Sequence, residues 1–263
     1  MKRPRPFTLL LLGCGALLGG LILLPLLALL LKSSPSGLLQ LLGSAEVRLA
    51  LWITLLSSLC ALPLIFLLGL PSAYGLARCR GKLRRSLEIV LELPMVMPPV
   101  VAGLALLLAF GRRGLVGELL NSFGLRLPFT LGAVVLAILF VVTPYFVRRT
   151  TLLFDSIERK FEEAAMLLGA SPWQSFWHVT LPLVRRGLFA EAIMALAQRI
   201  GLFGVVIIFA GNLPGRTQTL SLAIYSAFES DPQLAFGLGS LLLLISLLLL
   251  AMVRLLSPGE ERI

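Results

Sequence analysis

Along the chain, polar and charged positions gather into short segments and leave long apolar intervals between them. Phe7 to Leu31 runs 25 residues without a charge, Leu49 to Leu70 runs 22, and Leu234 to Val253 runs 20. About 20 apolar residues of helix cross a hydrocarbon core of roughly 30 Å, so each interval predicts a membrane span. Six spans are expected, at Thr8 to Leu31, Leu49 to Leu70, Ile89 to Phe110, Leu127 to Val147, Leu188 to Phe209 and Leu234 to Val253. The third is the least clean, with Glu88 and Glu92 at its entrance and Pro94, Pro98 and Pro99 punctuating it. The fifth is interrupted by Glu191, Gln198 and Arg199. The expected fold class is therefore an all-α polytopic membrane protein, one transmembrane domain over residues 1–263 with its core at 49–253. The first apolar run follows Lys2, Arg3 and Arg5 as a signal peptide would. A signal's apolar region is only about 7 to 15 residues and ends at a small-x-small site, so an uncleaved first helix is expected.

Composition agrees with this pattern. The sequence is 58% hydrophobic and 14% charged, against about 25% charged in soluble domains, which excludes a soluble or disordered chain. Cys14, Cys60 and Cys79 form no C-x-x-C, and two of them lie inside spans, so neither a disulfide framework nor a zinc site is implied. His178 is the only histidine, which excludes sites built on several His ligands. Lys and Arg stay on the cytoplasmic side of a membrane protein. Here 16 of the 23 fall on the side of the two termini and of the loops near 78–85 and 148–186, 6 fall on the other side, and Arg199 lies within a span. Both termini are expected in the cytoplasm. The net charge of +10 then reflects topology and contact with anionic lipid, not nucleic acid.

The longest cytoplasmic loop, residues about 150–187, has structure of its own. Asp155-Ser156-Ile157-Glu158 has the spacing of an acidic helix start. Phe161, Ala164, Ala165 and Leu168 share one helical face, and Gly169 stands where a left-handed C-cap glycine belongs. Ser171-Pro172-Trp173-Gln174 starts a second helix with a Ser cap, Pro at the first position and Gln at N3. A helix-turn-helix results. It suits an amphipathic hairpin on the lipid surface, and equally a docking element for a cytoplasmic partner.

Glu163-Ala164-Ala165, three residues, Gly169, nine residues, then Val179-Thr180-Leu181-Pro182 resembles the conserved loop of the membrane subunits of binding-protein-dependent ABC importers, with Val179 in place of the usual Ile. The resemblance implies that Glu163, Ala164, Ala165, Gly169, Leu181 and Pro182 couple the chain to an ATP-hydrolysing subunit. Leu91 to Val101, Phe110 to Gly114, Gly201 to Gly204 and Phe209 to Thr219 are similar to the molybdate permeases. Sulfate permeases are close relatives that share the loop and part of the glycine pattern. The same resemblance implies a homodimer, two ATP-binding subunits beneath it, and a periplasmic or lipid-anchored oxyanion-binding protein outside, in a prokaryotic plasma membrane. It implies no cofactor or metal in this chain and no catalysis, ATP and Mg being held by the partner. G-x-x-x-x-G-K-[ST] does not occur.

The residues of the implied translocation pathway carry readings of their own. Pro98 and Pro99 delete two amide donors and predict a kink, either for packing or along a water-lined path. Gly201 and Gly204, flanking Phe203, suit close helix packing or a narrow pathway. Asn212, Arg216 and Thr217 lie in a polar outer turn whose donors suit an oxyanion, which is all acceptors, and equally a solvated loop. The molybdate pattern carries an Arg and a Glu four residues apart in the fifth span, where this chain has Gln198 and Leu202. Three rivals remain: the same machine carrying sulfate or another tetrahedral oxyanion, an intramembrane enzyme, which would need clustered ionisable residues, and a non-ABC carrier, which would show inverted repeats.

Overall fold

The computed structural model describes residues 6–33 and 42–256, so Lys2, Arg3, Arg5 and Arg262 of the charge count lie outside the described residues. No strand occurs among those described. Four of the expected spans are single helices long and apolar enough to cross a bilayer. These are α1 (Pro6–Lys32), α2 (Ala45–Arg78), α6 (Leu131–Asp155) and α12 (Pro232–Leu256).

The other two expected spans are broken. The third becomes α3 (Gly81–Val96) and α4 (Pro99–Phe110), bent by 111° at the break. Pro98 caps α4 and Pro99 opens it, where a missing N–H costs nothing because the first helical amides have no partner within the helix. The prolines thus end one helix and start another, where a kink within one helix was expected. Short α5 (Gly117–Ser122) follows. The fifth span divides into α9 (Leu181–Ile200) and α10 (Gly204–Phe209), separated at Gly201 to Phe203. Helix α11 (Leu220–Ser230) leads into α12.

Helices α2 and α6 form the centre and run side by side in the same direction. Gly69 brings α2 so close to α6 that a Cβ there would stand 2.7 Å from the Phe146 ring, and one turn on the Thr151 hydroxyl donates to the Ala73 carbonyl at 3.4 Å. Ala61, Ile65, Val134, Ile138 and Val142 pack between them, with Val205 and Phe209 of α10 closing the cluster. A second cluster, Ala73, Ala77, Val147, Phe154, Phe176, Val184 and Leu188, lies at the other end of α2. Helix α1 buries no part of its apolar window within the chain and touches α12 where the Ser240 hydroxyl donates to the Leu29 carbonyl at 3.1 Å. A helix that is apolar all round is built for lipid or another subunit.

Candidate functional site

The hairpin expected from the loop is present, with one shift. Helix α6 continues through Asp155, and α7 runs from Lys160 to Leu167. Asp155 therefore does not start the hairpin helix. Its carboxylate instead accepts from Arg84 of α3 at 2.7 Å. The turn forms as its sequence predicts. Gly169 stands at φ +91°, the Ala170 N–H reaches the Ala165 carbonyl at 3.1 Å and the Gly169 N–H reaches Met166 at 3.0 Å, which together make a Schellman stop. Helix α8 (Pro172–Ser175) then opens with a full capping box, Ser171 Oγ accepting from the Gln174 N–H at 3.2 Å while Gln174 Oε1 accepts from the Ser171 N–H at 2.8 Å.

Helix α8 does not end in a loop. It passes through a π-helical turn, Phe176–Thr180, directly into α9. Pro182 has no N–H for the carbonyl four residues back, and the preceding Leu181 N–H reaches Phe176, five back. Leu181 and Pro182 thus make a continuous helical joint between hairpin and fifth span, and Leu181 packs against the inner cluster.

The face that the spacing grouped is presented outward, with Phe161 exposed at its start. Glu163 and Ala164 are exposed and Ala165 is half-buried, while Leu167 and Leu168 are 89% and 90% exposed. The Glu163 carboxylate makes no hydrogen bond or ion pair among the described residues. The buried carboxylate is its neighbour Glu162, 7% exposed. Arg78 at the end of α2 donates to it through Nε at 3.0 Å and through Nη2, and the Thr180 hydroxyl donates at 2.6 Å. Burial opposes the charge on Glu162, but the hydrogen bonds from Arg78 and Thr180 and the charges of Arg78 and Arg159 outweigh it and hold its pKa below the usual glutamate value. Arg159 adds a bond to the Ala77 carbonyl at 3.3 Å. Sequence reading missed this clamp, for which the only local signal is the doubled Glu162-Glu163.

The residues assigned to a pathway fall into two groups. Around the helix breaks, Pro99 and Gly204 meet directly: a Cβ on Gly204 would lie 2.8 Å from the Pro99 Cβ. Phe203 packs against Tyr225 of α11 with the rings tilted by 46° and their centroids 5.0 Å apart, and Gly201 is exposed at the break. At the N-terminal end of α2, Asn212 donates to Ser226 at 2.7 Å and accepts from Gln218 at 3.0 Å. Thr217, fully buried, accepts from the Leu213 N–H at 3.1 Å and donates to the Gly211 carbonyl at 3.2 Å. Both side chains hold the turn together, and Arg216 alone of the three points its charge outward, exposed and without a bond among the described residues.

Three comparisons fit this architecture. Residues 65–262 match the family described as binding-protein-dependent transport system inner membrane component. The chain is 38% identical over 227 residues, 86% of each chain, to the molybdenum transport system permease protein ModB of Mycobacterium tuberculosis. It is 35% identical over 228 residues, 86% of this chain and 80% of the relative, to the sulfate transport system permease protein CysW of Synechococcus elongatus. In fold it is similar to a chain of a bacterial alginate ABC transporter crystallised with an alginate-bound periplasmic protein, with a TM-score of 0.71 and 16% identity over 96% of this chain and 94% of that one. With a helical membrane core, a hairpin continuous with the fifth span, and a family match over most of its length, the chain belongs to the inner membrane components of binding-protein-dependent transport systems, the permease subunits of bacterial ABC importers, which are not enzymes and leave ATP hydrolysis to a separate subunit.

Proposed function

We propose that this permease carries molybdate or tungstate into the cytoplasm. The observation that carries the reading is the 38% identity to a molybdenum permease over 86% of both chains. Sulfate is the second reading, favoured by the nearly equal identity to CysW.

In this reading the chain acts as one permease domain and pairs with a second copy, with the cargo path at the two-fold axis. Both termini face the cytoplasm, where two ATP-binding subunits hold ATP and Mg and seat against Glu163 to Gly169. An oxyanion-binding protein delivers cargo to the face that carries Arg216. When the ATP-binding subunits close, the hairpin moves as a body with α9, to which it is continuous, and with the inner end of α2, to which Glu162 clamps it. The breaks at Pro98 and at Gly201 to Phe203, with Gly204 packed on Pro99, let the helix halves reorient and open the path to either side.

Proteoliposomes holding the complete transporter and its binding protein, supplied with ATP on the cytoplasmic side, test this with labelled molybdate and sulfate. ATP-dependent accumulation of molybdate above sulfate is expected. A preference for sulfate overturns the cargo assignment, and uptake of neither overturns the oxyanion reading.

A further inference from the structure

Arg199 is a cation inside the bilayer that no carboxylate among the described residues balances. It occupies the last turn of α9, just before the break at Gly201 to Phe203, and is 5% exposed. Its guanidinium crosses to α2, where Nη1 donates to the Thr54 carbonyl and to Ser58 Oγ, and Nη2 donates to Ser57 Oγ at 3.0 Å. Each acceptor is neutral. Of the two N–H groups left over, the one on Nε is buried with no acceptor among the described residues. Ser57 lies eight residues into the apolar run that starts at Leu49, about 12 Å along the helix axis, so the charge is well inside the hydrocarbon region.

A charge at this depth is costly and is normally paired. The other ionised groups of the expected spans obey that rule. Glu92 pairs with Arg148 at 3.2 Å and Glu191 with Arg149 at 3.6 Å. Those two carboxylates are engaged elsewhere, and Arg199 makes no ion pair among the described residues. The hydroxyls around it do not need it either. Ser57 Oγ donates to the Ile53 carbonyl at 2.5 Å and Ser58 Oγ to the Thr54 carbonyl at 2.7 Å, so both stay bonded if the guanidinium leaves. The network continues toward the broken span, with Thr54 Oγ1 accepting from the Leu220 N–H at 2.8 Å and Ser221 donating to the Leu202 carbonyl at 3.4 Å.

We propose that the missing counter-charge is the cargo, and that Arg199 is a binding residue for a tetrahedral oxyanion in transit. The assignment rests on the oxyanion reading above. When the helix halves reorient and the path opens at this depth, the guanidinium exchanges its neutral acceptors for the oxygens of the dianion, and Nε gains the acceptor it lacks. Neutral acceptors hold it loosely enough to make the exchange reversible. A carboxylate partner would compete with the cargo. A site that binds firmly enough to admit an ion, yet weakly enough to release it, is what conduction requires.

The test uses the complete transporter in proteoliposomes with its binding protein, comparing wild type with R199M, R199Q and R199K. Three quantities are read: thermal stability, ATPase stimulation by the binding protein, and uptake of labelled molybdate and sulfate. R199M and R199Q are expected to assemble, melt no lower than wild type and keep stimulated ATPase, while uptake falls about ten- to a hundredfold, the worth of a charged hydrogen bond. R199K keeps the charge and is expected to retain most of the uptake. Wild-type uptake by R199M or R199Q overturns the assignment. So does loss of assembly in both, since Arg199 would then be a pin between α2 and α9. If wild type itself imports neither oxyanion, the oxyanion reading fails instead, and the proposal with it.

Discussion

Replacing Glu162 by Gln should loosen the hairpin from the membrane helices without removing it. The carboxylate accepts from Arg78 Nε at 3.0 Å, from Arg78 Nη2 and from the Thr180 hydroxyl at 2.6 Å. An amide keeps one oxygen, so one of the two Arg78 bonds and the whole charge are lost. A hydrogen bond to a charged group contributes about 1.5–3 kcal/mol. The Arg78 side chain is 19% exposed, and water taking up its freed donor offsets part of the loss, leaving about 1–3 kcal/mol. Hydrogen exchange on the assembled transporter reads this directly, as amides of residues 160–180 opening about 5- to 150-fold more often while those of α6 are unchanged. The pH dependence has a definite sign. Glu162 is held below its ordinary value of 4.5, so its contribution is complete above that value and is lost as pH falls through the depressed pKa. Wild type should therefore approach the mutant's exchange pattern at acid pH, and the mutant should show no such transition. Equal exchange in the two proteins at neutral pH would refute the clamp.

Three further outcomes follow from the same geometry. Gly169 stands at φ +91° with nothing within 4 Å of a Cβ, so Gly169→Ala should cost about 1 kcal/mol or more from backbone strain alone. Gly169→Asn should be milder, and both should leave the transporter assembled while uptake per ATP hydrolysed falls. Gly204→Ala puts a methyl 2.8 Å from Pro99 and should lower the stability of the complex by about 1–3 kcal/mol, read as a drop in melting temperature, whereas Gly201→Ala, which meets only the Gln198 carbonyl at 3.9 Å, should not. Arg216→Glu should weaken oxyanion uptake much more than Arg216→Gln, with the gap closing as salt rises; equal uptake by both would return Arg216 to a solvated loop.

The legible parts of this fold were those encoded over short stretches of chain. Uncharged runs gave α1, α2, α6 and α12, and the hairpin turn was written in Gly169 and in Ser171-Pro172-Trp173-Gln174, each a few residues long. The break at Pro98-Pro99 was half legible, because missing amides announce an interruption but say nothing of its 111° angle, which depends on what α4 packs against. Asp155 looked like a helix start because an acidic residue before a periodic run usually is one. Arg84, 71 residues away, claimed its carboxylate and let α6 run on. Glu162 and Arg199 were hidden for the same reason. Their partners are 84 and about 140 residues distant, and no periodicity in sequence records a contact at that range. Asn212 and Thr217 read as free donors for an anion because a sequence shows donors without showing the acceptors already beside them.

In the proposed function the exposed tip of the hairpin seats on the ATP-hydrolysing subunit. Single cysteines at Leu167 or Leu168, in a chain with Cys14, Cys60 and Cys79 replaced, carry a short bifunctional reagent to that surface in intact transporter. A cross-link to the ATP-binding subunit from either position, and none from a cysteine at Arg216, is the predicted result. A cross-link from position 216 with none from 167 or 168 would contradict the account.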